Sequence, residues 1–144
     1  MKILVSACLL GVACRYDGCS RPDPRVIALA HEHTLIPVCP EQLGGLPTPR
    51  IPAEYDGQAV RNREGKDVTA EFRRGADEAV RLASLLHADL VILKDKSPSC
   101  GVGTRYSGRF DGMLTKGNGM TAEQLKKADI PFISCTDIDS YFKK

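Results

Sequence analysis

No charge of one sign dominates this chain: 20 Lys and Arg stand against 18 Asp and Glu, a net charge of +2. That balance is too even for the footprint of an extended nucleic-acid or membrane-surface binder. No apolar run approaches the ~18 residues of a membrane span. Met1 to Ala7 passes from one Lys into an apolar stretch too short for a signal-peptide core, and Cys8 follows at once. No internal repeat or low-complexity tract is visible. Nor is there a C-x-x-C pair, so thioredoxin-like redox sites and zinc knuckles lose their main signal. What remains is an ordinary globular balance over 144 residues, 42% hydrophobic and 26% charged. A chain of this length buries about 68% of the surface its unfolded form exposes, enough for a core without disulfide staples. These features predict a single cytoplasmic domain over residues 1–144.

Strand and helix patterns alternate along the chain. Ile3-Leu4-Val5 is a continuous apolar run, the mark of a strand buried on both faces. Residues 23–33 read as a helix, with Asp23 as cap, Pro24 at the first position, and Val26, Ile27, Leu29 and Ala30 as its apolar face. Residues 34–38 read as a second strand, which Pro37 places at an edge or strand end. Four prolines and two adjacent glycines make 40–56 a structured loop, and 58–60 a short extended piece before a turn at Glu64-Gly65. From Thr69 to His87, Phe72, Ala76, Ala79, Val80, Ala83 and Leu86 recur at helical spacing. Residues 89–93 form the clearest buried strand. The Gly- and Ser-rich stretch 95–119 is far longer than a connection requires, which is usual for functional loops. Thr121 to Gln124 has the form of a capping box opening a helix to about Ala128, and 131–134 is a last strand. This order calls for an α/β protein, a three-layer Rossmann-like fold with a largely parallel sheet.

Ligands in such folds bind beyond the carboxyl ends of the strands. Of six cysteines, Cys8 lies just past the first strand, Cys39 past the second, and Cys100 in the loop after the third. Three thiols from distant segments therefore converge on one edge of the sheet, a donor set for a soft metal or an iron–sulfur cluster. Unrelated buried thiols are the bland alternative. Cys135 also ends a strand, and Cys14 and Cys19 share the loop after the first, so topology alone admits them. Glu41 stands two residues beyond Cys39, within reach of acid–base work beside a metal. Ser97 and Ser99 flank Cys100, where Pro98 stiffens the turn and Gly101 allows close backbone approach. Gly44-Gly45 brings backbone N–H groups toward an anionic ligand. His31, His33 and His87 fall on helices away from the strand ends. Gly101-Val102-Gly103 lacks the third glycine of a dinucleotide fingerprint. Lys94, Lys96, Arg105, Arg109 and Lys116 read as a solvated rim, of which a phosphate-bearing substrate could use one or two.

Several motifs together resemble the thiouracil desulfidase family, long catalogued only as a domain of unknown function. They are Ser6-Ala7-Cys8-Leu9-Leu10-Gly11, Cys14-Arg15-Tyr16-Asp17-Gly18, Cys39-Pro40-Glu41 with Gly44-Gly45-Leu46, Pro49-Arg50, Gly65 to Thr69 with Phe72 and Gly75-Ala76, and Lys94 through Gly101. The resemblance covers nearly the whole chain. It implies a [4Fe–4S] cluster held by Cys8, Cys39 and Cys100 with one iron left open for the substrate's sulfur. It also implies Glu41 as the catalytic carboxylate and Ser97 as the catalytic hydroxyl, with Ser99 the competing choice. Ser99, Gly44 and Gly45 then fall to substrate binding, and Cys14, Cys19 and Cys135 to packing or loop thiols. Relatives remove sulfur from thiolated uracil compounds without net redox chemistry. Some carry a further C-terminal domain linked to thiolated tRNA, so the form seen here is expected to take a thiolated pyrimidine base or nucleotide, a salvage substrate.

Chemistry supports that reading independently. A thiocarbonyl sulfur is soft and suits an open iron, which makes the adjoining carbon more electrophilic. Glu41 can activate a water for attack there while Ser97 passes a proton on the ring side, and hydrogen sulfide is the product. The rivals are a non-catalytic zinc- or cluster-binding module and a thiol-dependent redox enzyme.

Overall fold

In the computed structural model, which describes residues 1–143, the chain's longest apolar runs come together as one parallel sheet. Its strands are β1 (Lys2–Ser6), β2 (Thr34–Val38), β5 (Leu90–Leu93) and β8 (Phe132–Ser134), in the order β2-β1-β5-β8. β1 pairs with β2 on one side and β5 on the other, and Ile3, Leu4 and Val5 are wholly buried. β2 is an edge strand, as Pro37 predicts.

Alternation along β1 builds two cores. Ile3 and Val5, with Leu90 and Ile92, pack on one face against Val26 of α1 (Pro24–Ala28) and Ile138 of α5 (Ile138–Tyr141). Leu4, Val91 and Leu93 pack on the other against Ala83 of α3 (Thr69–Leu85) and Ala122 and Leu125 of α4 (Met120–Lys127). Helices on both faces make the three layers expected.

The details depart from the sequence pattern in physical ways. Asp23 caps α1 by accepting from the Arg25 N–H, but the helix ends at Ala28 and continues only as a 3₁₀ turn, Leu29–His31. Of its expected apolar face only Val26 is fully buried, while Ile27 and Ala30 are exposed. The capping box does not form: Gly119 is the N-cap of α4, no side chain caps it, and Thr121 is buried inside the first turn. The loop 40–56 contains a short helix α2 (Pro40–Leu43) and β3 (Ala53–Tyr55), which pairs antiparallel with β4 (Val60–Asn62). The long loop 95–119 contains a second hairpin, β6 (Thr104–Tyr106) with β7 (Leu114–Lys116).

Two glycines fix where α2 sits. A Cβ on Gly44 would lie 1.9 Å from the Glu71 carbonyl oxygen, and one on Gly75 would lie 1.8 Å from that of Pro40. Backbone meets backbone where α2 crosses α3. Helix propensity alone favours Gly75→Ala by ~1 kcal/mol, yet the clash has no flexible side chain to yield. Gly75→Ala is therefore expected to destabilise the fold by about 1–3 kcal/mol, read as a lower thermal midpoint. A rise in that midpoint would show that the helices can separate freely.

A thiol-lined cavity at the carboxyl ends of the strands

The sheet order reverses at β1: the chain runs from β1 outward to β2, then returns past β1 to β5. The loops leaving β1 and β5 therefore diverge at a switch point, where α/β proteins bind ligands. Here the crevice is a cavity of about 540 Å³. Cys8, Cys39, Cys100, Glu41 and Ser97 all line it.

Each is placed by local structure. Ser6, the last residue of β1, accepts from the Lys94 N–H through its hydroxyl at 3.0 Å, tying the ends of β1 and β5 together. Cys8 follows in the 3₁₀ turn Ala7–Leu10, closed by Gly11 in the left-handed region. Cys39 is the extended N-cap of α2, Pro40 starts the helix, and Glu41 lies in its first turn. Cys100 closes a tight turn after β5. The Ser97 hydroxyl accepts from the backbone N–H groups of Ser99 and Cys100 at 3.0 and 2.9 Å. A Cβ on Gly101 would sit 2.7 Å from two carbonyl oxygens, so the close approach foreseen there is real.

Burial pushes the Cys100 thiol up to about 12. Cys39 is raised further, first by its contact with the Cys14 thiol and then by burial. Cys14 is raised too: contact with Cys39 favours its thiolate, but contact with Cys8 and burial outweigh that. The shifts favour the neutral thiols at pH 7, and binding a positive group there would displace their protons. Among the described residues, no three His, Cys, Asp or Glu side chains close around a single metal ion.

The remaining sequence expectations divide. Gly44 and Gly45 are not at the cavity; Gly44 is buried against α3, where packing rather than ligand contact demands glycine. Ser99 is not at the cavity either, and its hydroxyl bonds that of Thr121 at 2.7 Å in a buried pair. Ser99→Ala should accordingly lower stability by about 1–3 kcal/mol, by leaving Thr121 unpaired, with turnover retained. A dead but fully stable Ser99→Ala protein would return the hydroxyl role to Ser99. Cys135 is turned to Asp95, 3.6 Å from its carboxylate, and Cys19 is exposed. None of the histidines lines the cavity. Cys14 does, as its position after the first strand allows, although the resemblance implies only a packing or loop thiol. Arg105, expected on a solvated rim, is buried: it donates to the carbonyls of Tyr55 and Asn118 and stacks on the Tyr55 ring. Those partners remove the cost of burying its charge.

Three further groups reach the cavity with little warning from sequence. Arg15, Arg21 and Arg63 bring positive charge. Tyr106 and Phe110, from the β6–β7 hairpin, supply aromatic surface. The hairpin tip is held by the Glu54 carboxylate, which accepts from the N–H groups of Gly108 and Phe110 at 3.0 and 3.1 Å. Arg50, visible in sequence only as half of a Pro-Arg pair, donates to Glu41 at 2.9 Å.

Fold and site together define a doubly wound α/β protein with a thiol-rich ligand cavity at its switch point. The family model for 2-thiouracil desulfurase matches residues 3–137, and the chain belongs to that family. It is 40% identical over 147 residues to the uncharacterized protein YbbK of Bacillus subtilis (strain 168), covering 95% of this chain and 97% of that one. It is also similar to a solved structure described as a [4Fe-4S]-dependent thiouracil desulfidase, TudS. That match has 45% identity and a TM-score of 0.91, and covers 96% of this chain and 93% of the other.

Proposed function

We propose that this protein is a [4Fe–4S]-dependent, non-redox desulfidase that converts thiolated uracil compounds to their oxygen forms. The carrying observation is that Cys8, Cys39, Cys100, Glu41 and Ser97 meet in one cavity of a chain in this family. The soft sulfurs of the thiols that line this cavity suit iron and iron–sulfur groups. Cys8, Cys39 and Cys100 would hold the cluster. Bound there, the cluster would supply an open iron that takes the thiocarbonyl sulfur and leaves its carbon electrophilic.

The chain's own residues supply the proton chemistry. Glu41 has one carboxylate oxygen tied to Arg50, and its other oxygen can take a proton from a water attacking that carbon. Ser97 accepts two backbone N–H groups, which occupies both lone pairs and leaves its own proton to donate toward the substrate. The water oxygen bonds to carbon, the carbon–sulfur bond breaks, and sulfur departs as hydrogen sulfide with no net electron transfer.

A nucleotide suits the cavity better than a free base. Arg15, Arg21, Arg63 and Lys96 line it, and Nη1 of Arg15, 3.7 Å from the Asp17 carboxylate, is buried without a hydrogen bond among the described residues. A phosphate would satisfy such donors. The net charge of +2 suits a small anion rather than tRNA. The six cysteines are free thiols, as a reducing cytoplasmic setting would keep them. Among the described residues no helix is long and apolar enough to cross a membrane.

Anaerobically reconstituted protein should be brown and release sulfide from thiouracil, thiouridine and thiouridine monophosphate, with the highest kcat/KM for the phosphate-bearing compound. Sulfide-free incubation of a fully loaded protein with all three would refute the activity. One observation favours a second reading: the Cys14 thiol lies against Cys39, as a redox dithiol would. Consumption of one reductant equivalent per turnover would select it; turnover without reductant selects the desulfidase.

A further inference from the structure

Arg50 enters the chemistry above only as a bond to Glu41, yet its side chain is only 6% exposed. It spans the loop after β1 and the helix after β2. Its Nε donates to Oε1 of Glu41 at 2.9 Å, and its Nη2 to the Cys14 carbonyl at 2.8 Å. Its Nη1 donates to the Pro47 carbonyl at 3.1 Å and the Thr48 hydroxyl at 3.0 Å. Four of the five guanidinium N–H donors are thus held by three separate places in the chain. The Thr48 hydroxyl also accepts from the Gln42 amide at 2.7 Å, and the Arg50 backbone N–H donates to the Tyr16 carbonyl at 2.8 Å. The arginine has little freedom to turn.

The ion pair itself is one-pronged. Guanidinium and carboxylate commonly meet through two parallel bonds. Here the terminal nitrogens are spent on carbonyls and a hydroxyl, so only Nε reaches Glu41, and Oε2 accepts nothing from the described residues. A single rigid bond fixes the carboxylate's direction and keeps one oxygen free for the cavity.

We infer that Arg50 is a positioning residue for Glu41: it pins one carboxylate oxygen so that the other faces the reacting water. The inference rests on the acid–base role given to Glu41 above. Lysine cannot replace it, because one ammonium cannot reach Glu41, Cys14 and Pro47 in a fixed plane.

The test is a double-mutant cycle on cluster-loaded protein, with Arg50→Lys made in the wild-type and in the Glu41→Gln background. Iron content, visible absorption, kcat and KM are read for each. Arg50→Lys alone is expected to keep iron and KM near wild type and to lower kcat by about 10²-fold, the scale of a small misplacement of a catalytic group. In the Glu41→Gln background the same change should cost almost nothing further, because there is no base left to position. Equal losses in the two backgrounds, or a kcat that falls only in step with iron, would overturn the inference and leave the Glu41 role standing. Wild-type turnover by Glu41→Gln alone would remove that role, and the inference with it. Should Arg50→Lys load iron poorly, Arg50→Ala with added methylguanidinium decides: restored kcat at unchanged iron content supports positioning, and no restoration overturns it.

Discussion

Cys39→Ser protein is expected to emerge colourless, with little bound iron and no sulfide release, and Cys8→Ser and Cys100→Ser should behave alike. Serine is nearly isosteric, so the fold should survive; what is lost is a soft, ionisable sulfur. Burial raises the Cys100 thiol to about 12, and the positive iron of the proposed cluster would offset the cost of a thiolate there. Serine, a far weaker acid, cannot make that exchange. Cys19→Ala and Cys135→Ala should keep iron and activity, since one thiol is exposed and the other is turned to Asp95. Iron determination by colorimetry and the visible spectrum decide both sets. Full cluster occupancy with turnover in Cys39→Ser would overturn the ligand assignment, and loss of iron from Cys135→Ala would point to a site closed by four thiols.

Glu41→Gln and Ser97→Ala should separate binding from chemistry. Both proteins are expected to stay brown and to bind thiolated substrate, while sulfide release falls about 10²–10⁴-fold, the usual contribution of a general acid or base. Glutamine preserves the shape of Glu41 and can still accept from Arg50, but it cannot take a proton from water. Ser97→Ala leaves the Ser99 and Cys100 N–H groups without their acceptor, so a small loss of stability should accompany the slower rate. Sulfide assays under single turnover, with a substrate-induced change in the visible spectrum as the binding readout, provide the measurement. Near wild-type rates in both would leave Glu41 only an ion-pair partner of Arg50 and Ser97 only a hydroxyl that closes its turn.

Much of this was readable before any coordinates. Apolar runs at Ile3–Val5 and Leu90–Leu93 and the three-and-four spacing from Phe72 to Ala83 state burial and period directly, because those properties are local. Once strands alternate with helices, the segments leaving the strands must lie at one end of the sheet, so position placed Cys8, Cys39 and Cys100 there, with Cys14, Cys19 and Cys135 admitted beside them. Of the two hairpins only the extended piece at 58–60, which overlaps β4, was visible; β3, β6 and β7 were not, because three residues show no period and no apolar run marks them. Other features depend on partners far along the chain. Arg105 is buried because Tyr55 and Asn118 offer it carbonyls, and Gly44 and Gly75 matter because two helix backbones touch. Ser99 turns from the cavity to Thr121, Cys14 turns into it, and Arg50 reaches across to Glu41. The sequence by itself therefore determined the layer order and which end of the sheet carries the thiols. Only the tertiary structure decided which hydroxyl faces the cavity, which arginines are buried and what holds the carboxylate. A hydrogen bond or a backbone contact between distant residues is chosen by packing geometry and leaves no period in the chain.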